Sequence, residues 1–129
     1  MSITTVQAAM SGVVLNIFAA ATTGTGTPIA IPPSFIHHNF MIKAASGVTS
    51  GAVTIEESND PNDAGTWAIV IPNDSGAVTV ANPITVIAGA NLLIEHEGRL
   101  NFVRARVSTT IAGGGAPSVT VDYLGGKNY

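Results

Sequence analysis

The chain has 129 residues, which is the usual size of one domain with a single hydrophobic core. Only 10% of the residues are charged and the formal net charge is −3, so the chain lacks the basic surface that nucleic-acid binding requires. It contains no cysteine, which excludes disulfides, thiolate nucleophiles and thiolate metal ligands. Because 46% of the residues are apolar, we expect other subunits to cover part of the surface.

The first 42 residues contain no Asp, Glu, Lys or Arg. Such a segment is not expected to face water along its whole length, so residues 1–34 are predicted to form an N-terminal arm that contacts a partner. Residues 2–21 are compatible with a strand pair or a short helix, because Val, Ile and Thr favour strands and the Ala runs favour helix, and we expect extended structure. Residues 22–28 are predicted to be a flexible Gly- and Pro-containing connector. The apolar run 12–21 has no basic region before it and is too short to cross a bilayer, so we expect neither export nor membrane anchoring. The arm residues predicted to contact the partner are Val13, Leu15, Ile17, Phe18, Ile29 and Ile31.

From residue 35 onward, short strands alternate with turn residues. Phe40, Ile42 and Ala44 alternate with Met41 and Lys43, the period of a half-buried strand. No long amphipathic helix is present, so residues 35–129 are predicted to be one all-β domain, an antiparallel β-sandwich or jelly roll. The further predicted strands are 52–56, 66–71, 77–81, 84–88, 92–96, 100–109 and 118–124.

The segment 52–71 is predicted to be a hairpin around a polar connector, and Trp67 is predicted to anchor the core because it shares a strand face with Ile69 and Ile71. Its connector is rich in oxygen ligands, as calcium sites are, but the spacing departs from the EF-hand pattern. We therefore interpret it as a solvated turn.

The segments 100–109 and 118–124 are predicted to pair as a closing hairpin, with Arg104 and Arg106 facing Asp122 across the strands. Their glycine-rich loop precedes no helix, so it does not have the character of a phosphate cradle. No nucleophile-elbow pattern is present, and we predict no enzymatic activity and no cofactor.

Two of the three histidines are neighbours in the sequence. His37 and His38 point to opposite faces of a strand, so they are not expected to bind one metal ion together, and we predict no metal site. If these side chains lie at a subunit contact, protonation at about pH 6 is expected to weaken assembly.

Two motifs carry a family resemblance. Residues 53–60 followed by Gly65-Thr66-Trp67, and residues 102–107 running through 117–121, resemble small β-sandwich structural proteins of tailed bacteriophage particles. The resemblance covers residues 40–125. The turn departs from the commoner Asp-Gly form by having Asp-Pro-Asn-Asp at 60–63, so no binding role is transferred to it.

The resemblance implies a virion component that assembles in the host cytoplasm. The leading expectation is a capsid cement, or decoration, protein that binds the major capsid protein; a neck, tail or fibre part is the alternative. It also implies a homo-oligomer, with a trimer favoured over a dimer. A rival from another class is a carbohydrate- or host-surface-binding module, which would need an exposed aromatic platform or a calcium-dependent affinity.

Overall fold

The computed structural model describes residues 7–65, 67–73, 82–86, 89 and 91–127, and in these ranges ten strands form two sheets. The strands are β1 (Gln7–Ala8), β2 (Leu15–Ala21), β3 (Ile29–Ala30), β4 (His37–Ala44), β5 (Val48–Ser58), β6 (Ala68–Ile69), β7 (Ile84–Thr85), β8 (Asn91–Glu97), β9 (Phe102–Gly113) and β10 (Val119–Gly126). Sheet A has the order β1-β3-β9-β5-β6, with β7 also on β5, and sheet B has the order β2-β10-β4-β8. All pairings are antiparallel except β1 with β3. The predicted all-β antiparallel sandwich is confirmed.

The core lies between the sheets because alternate side chains of each long strand point inward. In sheet B these include Phe40 and Ile42, and in sheet A they include Val53 and Ile55, all at most 1% exposed. Burying a side chain of this size stabilises the fold by about 1.5–3 kcal/mol. The predicted inward faces of the last two strands are also correct, since the buried residues there include Val103, Ala105, Val119, Val121 and Tyr123.

The predicted closing hairpin is wrong, because β9 and β10 lie in different sheets. Both edges of β9 are already occupied: β5 pairs with one edge, and β3 together with the preceding segment pairs with the other. In that segment the Val107 amide donates to the Gly24 carbonyl at 2.9 Å, and the Gly26 amide donates to the Ala105 carbonyl at 2.7 Å. Residues 114–118 therefore cross from sheet A to sheet B.

The same contacts correct the prediction for the N-terminal arm. Within residues 7–34, β2 pairs with β10 in sheet B and β3 pairs with β9 in sheet A. The connector 22–28 is hydrogen-bonded along β9 and is not a free linker. The division predicted at residue 34 therefore has no counterpart in the sheet order, because the described part of the arm belongs to both sheets.

The predicted hairpin of residues 52–71 is present, with Glu56 opposite Ile69 in the pairing of β5 with β6. Its second strand is shorter than predicted, and its faces differ. Ile69 and Ile71 are 43% and 69% exposed, whereas Val70 is buried. The reason is that only two residues pair with β5, so the alternation does not extend to Trp67 and Ile71. The predicted strand 77–81 and residues 87–88 of the strand 84–88 lie outside the described residues.

Candidate functional site

A buried carboxylate lies on the outer face of sheet A. Because Val53 and Ile55 point into the core, Glu56 points away from it, yet Glu56 is only 3% exposed. Arg104 Nε donates to Glu56 Oε1 and Arg106 Nε donates to Glu56 Oε2, both at 3.0 Å. Each carboxylate oxygen thus has a charged donor, which is the arrangement that offsets the cost of burying a charge.

Trp67 covers this cluster from outside. It is 2% exposed, and the Arg104 guanidinium lies 4.1 Å from the centroid of its ring. Its indole Nε1 donates to the Asp63 carbonyl at 3.0 Å. Trp67 is buried, but it shares no strand face with Ile69 and Ile71, which are exposed, and the described cluster of core residues between the sheets does not include it. Trp67 instead fixes the 59–65 turn to the outer face of sheet A.

The acidic connector makes the hydrogen bonds of a turn. Asp60 Oδ1 accepts from the Asn62 amide at 2.9 Å, and Asp63 Oδ1 accepts from the Gly65 amide at 2.8 Å. Ser58 Oγ donates to Asp63 Oδ2 at 3.3 Å. These contacts agree with the interpretation as a turn, since carboxylates that accept amides two residues on hold the local backbone.

A cavity of about 420 Å³ at one end of sheet B is lined by His37, His38, Asn39, Asn73, Glu95, His96 and Glu97. His38 Nε2 donates to the Gly98 carbonyl at 2.7 Å, so in the neutral imidazole Nδ1 accepts from the Tyr123 hydroxyl, also at 2.7 Å. Both ring nitrogens of His38 are therefore engaged. As predicted, His37 and His38 point to opposite faces: His38 is buried, whereas His37 lies 3.5 Å from the Glu97 carboxylate.

Burial shifts the pKa values of His38, which lines this cavity, and of Glu57 on β5 in opposite directions. It lowers the pKa of His38; the hydrogen bond that the ring donates to the Gly98 carbonyl raises that pKa, and the nearby charges of His96 and His37 lower it further. Burial raises the pKa of Glu57, which the charge of His96 partly offsets. In both groups burial disfavours the charged form relative to the free side chain.

The outer face of sheet B has a different character. Lys43 Nζ lies 2.6 Å from the Asp122 carboxylate, and Asn16 Nδ2 donates to the same carboxylate at 3.0 Å. Burial alone would raise the pKa of Asp122, but these two hydrogen bonds and the Lys43 charge hold it below its ordinary value. The predicted pairing of Arg104 and Arg106 with Asp122 is wrong, because they lie on the outer faces of different sheets.

Most of the residues predicted to contact a partner are used inside the molecule. Four of them are 2–6% exposed and belong to the core, and Leu15 is half-buried against it. Only Val13, at 48%, is well exposed. The four core members are Ile17, Phe18, Ile29 and Ile31.

The other large cavity has no ionisable lining. A cavity of about 600 Å³ lies between β2 and residues 23–29, and none of its lining residues is ionisable. In the described ranges no group of three or more His, Asp or Glu side chains is arranged to hold a metal ion. In the same ranges no helix has the length and apolar character to cross a membrane.

Comparison with known proteins identifies one solved structure of similar fold. The SPBc2 prophage-derived protein YomS superposes with a TM-score of 0.60 over 88% of this chain and 92% of its own, at 12% sequence identity. At this identity the similarity establishes a shared β-sandwich fold. No protein-family model and no curated protein sequence matches the chain.

Proposed function

We propose that this chain is a non-enzymatic structural component of a bacteriophage particle, and that it acts as a capsid cement protein that binds the major capsid protein and stabilises the head. The observation that carries the proposal is the fold shared with a prophage-derived protein over nearly the whole of both chains. The motif resemblance of residues 53–67 and 102–121 supports it independently. Cementing requires buried area and repetition over a shell, and no catalytic group. The protein then assembles in the host cytoplasm and resides in the virion.

The side chains best suited to the capsid contact lie around the end of β10. The Gly12 amide donates to the Gly125 carbonyl at 3.0 Å, and the Ile36 amide donates to the Gly126 carbonyl at 3.2 Å. These bonds hold residues 12 and 36 at the end of β10, and three apolar side chains of the two segments are exposed: Met10 (64%), Val13 (48%) and Ile36 (46%), which we call the apolar apex. Exposed apolar side chains that form a patch mark interaction sites, and we propose that these three do so.

The test is to separate the heads and tails of particles that carry the chain and to count its copies on each. A cement protein is expected on heads in a fixed ratio to the capsid subunits. Val13→Asp is expected to lower that occupancy at least tenfold, because it places a charge in an apolar contact. Ile69→Asp is the matched control, since Ile69 is 43% exposed on the opposite sheet, and it should leave occupancy unchanged.

Finding the chain somewhere other than on heads would distinguish the cement role from its alternatives. A few copies on tails would overturn the cement role in favour of a neck, tail or fibre part, and absence from both fractions would overturn the virion role. The carbohydrate-binding alternative lacks its aromatic platform among the described residues, because Trp67 and Tyr123 are at most 2% exposed; Tyr129 lies outside them.

A further inference from the structure

The apolar core ends, at one end of the sandwich, in a pair of histidines. Phe40 on β4 lies opposite Ile94 on β8, and both side chains are fully buried between the sheets. Two residues further along the same strands His38 lies opposite His96, so strand alternation brings these two rings to the inner side as well. Their centroids are 5.9 Å apart. The pair therefore lies where the apolar core meets the cavity of about 420 Å³ that both rings line.

Backbone carbonyls determine which nitrogen of each ring carries a hydrogen, because a carbonyl oxygen only accepts. His38 Nε2 donates to the Gly98 carbonyl, and His96 Nδ1 donates to the Ile71 carbonyl, both at 2.7 Å. The second nitrogens differ. His38 Nδ1 accepts from the Tyr123 hydroxyl, whereas no residue in the described ranges bonds to His96 Nε2. His96 can therefore bind a proton without losing a hydrogen bond. His38 cannot, because a hydrogen on its Nδ1 would face the hydroxyl hydrogen of Tyr123.

The charges around the pair oppose a proton on His38. Burial has the largest effect in lowering the pKa of His38, and the charges of His96 and His37 lower it further. The carboxylates lie beside the other two rings, since Glu57 interacts with His96, and Glu97 lies 3.5 Å from His37. The described ionisable side chains around the pair are His37 of β4, Glu57 of β5, Glu95 and Glu97 of β8, and Tyr123 of β10. A second proton on the pair is therefore disfavoured while His96 is charged.

We propose that the His38–His96 pair is an acid-sensitive latch: His96 Nε2 binds the first proton with the structure intact, and a proton on His38 then breaks the bond from Tyr123 and loosens this end of β4 and β8. Two positive rings that lie opposite each other on neighbouring strands repel, and like charges at such positions destabilise the pairing. The latch lies within one subunit, so it does not depend on the proposed place in a phage particle.

NMR nitrogen shifts of the histidine rings, followed from about pH 8 to about pH 5, test the order of protonation. We expect the Nε2–H tautomer for His38, the Nδ1–H tautomer for His96, and the first proton on His96. His96→Gln removes a positive charge 5.9 Å away and should raise the proton-binding constant of His38 at least about threefold, the value for two charges at this distance in water. His37→Gln is the matched control and should raise it less, because His37 is the weakest of the recorded influences on His38. A first proton on His38, or no effect of His96→Gln, would overturn the proposal.

Amide hydrogen exchange of the full chain tests whether the second proton loosens this end. The Gly98 amide donates to the Ile36 carbonyl at 2.8 Å beside the histidines, and the Val48 amide forms a 3.1 Å bond beyond the opposite end of β4. As the pH falls through the protonation of His38, protection of the Gly98 amide should drop about tenfold relative to Val48. Tyr123→Phe has no hydroxyl bond to break, so its Gly98 protection should vary less with pH. An equal pH dependence of the two amides in the unmodified chain would refute the latch.

Discussion

Replacing Glu56 by alanine is expected to cost more stability than any other single change of an acidic residue among the described ranges. The carboxylate is 3% exposed, and both of its oxygens accept from an arginine at 3.0 Å. Removal leaves the Arg104 and Arg106 guanidiniums facing each other across the space that the carboxylate occupied. Arg104 also covers Trp67, so its displacement would loosen the 59–65 turn as well.

The magnitude follows from the exposure of each partner. Breaking a fully buried ion pair costs about 3–5 kcal/mol. The Arg104 side chain is 19% exposed and the Arg106 side chain is 39% exposed, so solvent screens the Arg106 contact and its share must be discounted. We therefore expect Glu56→Ala to lower the free energy of unfolding by about 3 kcal/mol. Glu56→Gln keeps the shape and one acceptor and should cost about 1–2 kcal/mol.

Urea denaturation followed by tryptophan fluorescence is the measurement, because Trp67 lies on the cluster. Glu97→Ala is the control: its side chain is 68% exposed and makes only a 3.5 Å contact with His37, so a change within about 0.5 kcal/mol is expected. A loss below about 1 kcal/mol for Glu56→Ala would show that the two arginines do not depend on this carboxylate.

Three further predictions concern the core and its edges. Gly125→Ala places a Cβ against the Tyr123 hydroxyl and should cost about 1–3 kcal/mol in urea denaturation, whereas Gly114→Ala, with open space around it, should be near neutral. Burial lowers the pKa of His38, so the unfolded chain binds more protons and the free energy of unfolding should fall as pH drops below 6.5; a His38→Gln variant should reduce this slope. Trp67→Ala should cost about 3–5 kcal/mol in urea denaturation followed by circular dichroism, since the variant has no tryptophan to report by fluorescence, and a near-neutral result would show that the ring anchors nothing.

Strand alternation predicted the faces of the long strands but not their neighbours. The inward positions of β9 and β10 were predictable because a period of two residues is a local property. The neighbours of a strand depend instead on which strand edges are free to pair and on how long the competing strands are. The 11-residue strand β5 pairs along β9 and excludes β10 from that edge. Strand β10 pairs with β2 and β4 instead. Arg104 and Asp122 were therefore assigned correctly to outward faces and wrongly to each other.

The absence of charged residues in the N-terminal region correctly predicted that much of this region is buried. It did not predict whether a partner or the chain's own core buries the region. An uncharged, apolar segment is equally compatible with a partner's surface and with the molecule's own core. Ile17 and Ile29 illustrate the second outcome, at 5% and 2% exposed in the core between the sheets. Only a long-range pairing such as Ile29 with Val103 decides between these outcomes, and no local pattern encodes it.

The outward faces of the two sheets have different environments, and this difference bears on function. An outward position on a strand normally faces water, so the alternation of β5 alone would leave Glu56 solvated. In this fold the 59–65 turn and Trp67 fold back over the outer face of sheet A, so Glu56 is buried and needs the two arginines that lie opposite and beside it on β9. The corresponding face of sheet B keeps Leu93 36% exposed beside Met41. An exposed apolar pair on a sheet face is stabilised only when something packs on it. The two outer faces therefore differ in what covers them within one chain: the 59–65 turn and Trp67 cover the Glu56 cluster on sheet A, whereas Leu93 on sheet B stays partly exposed.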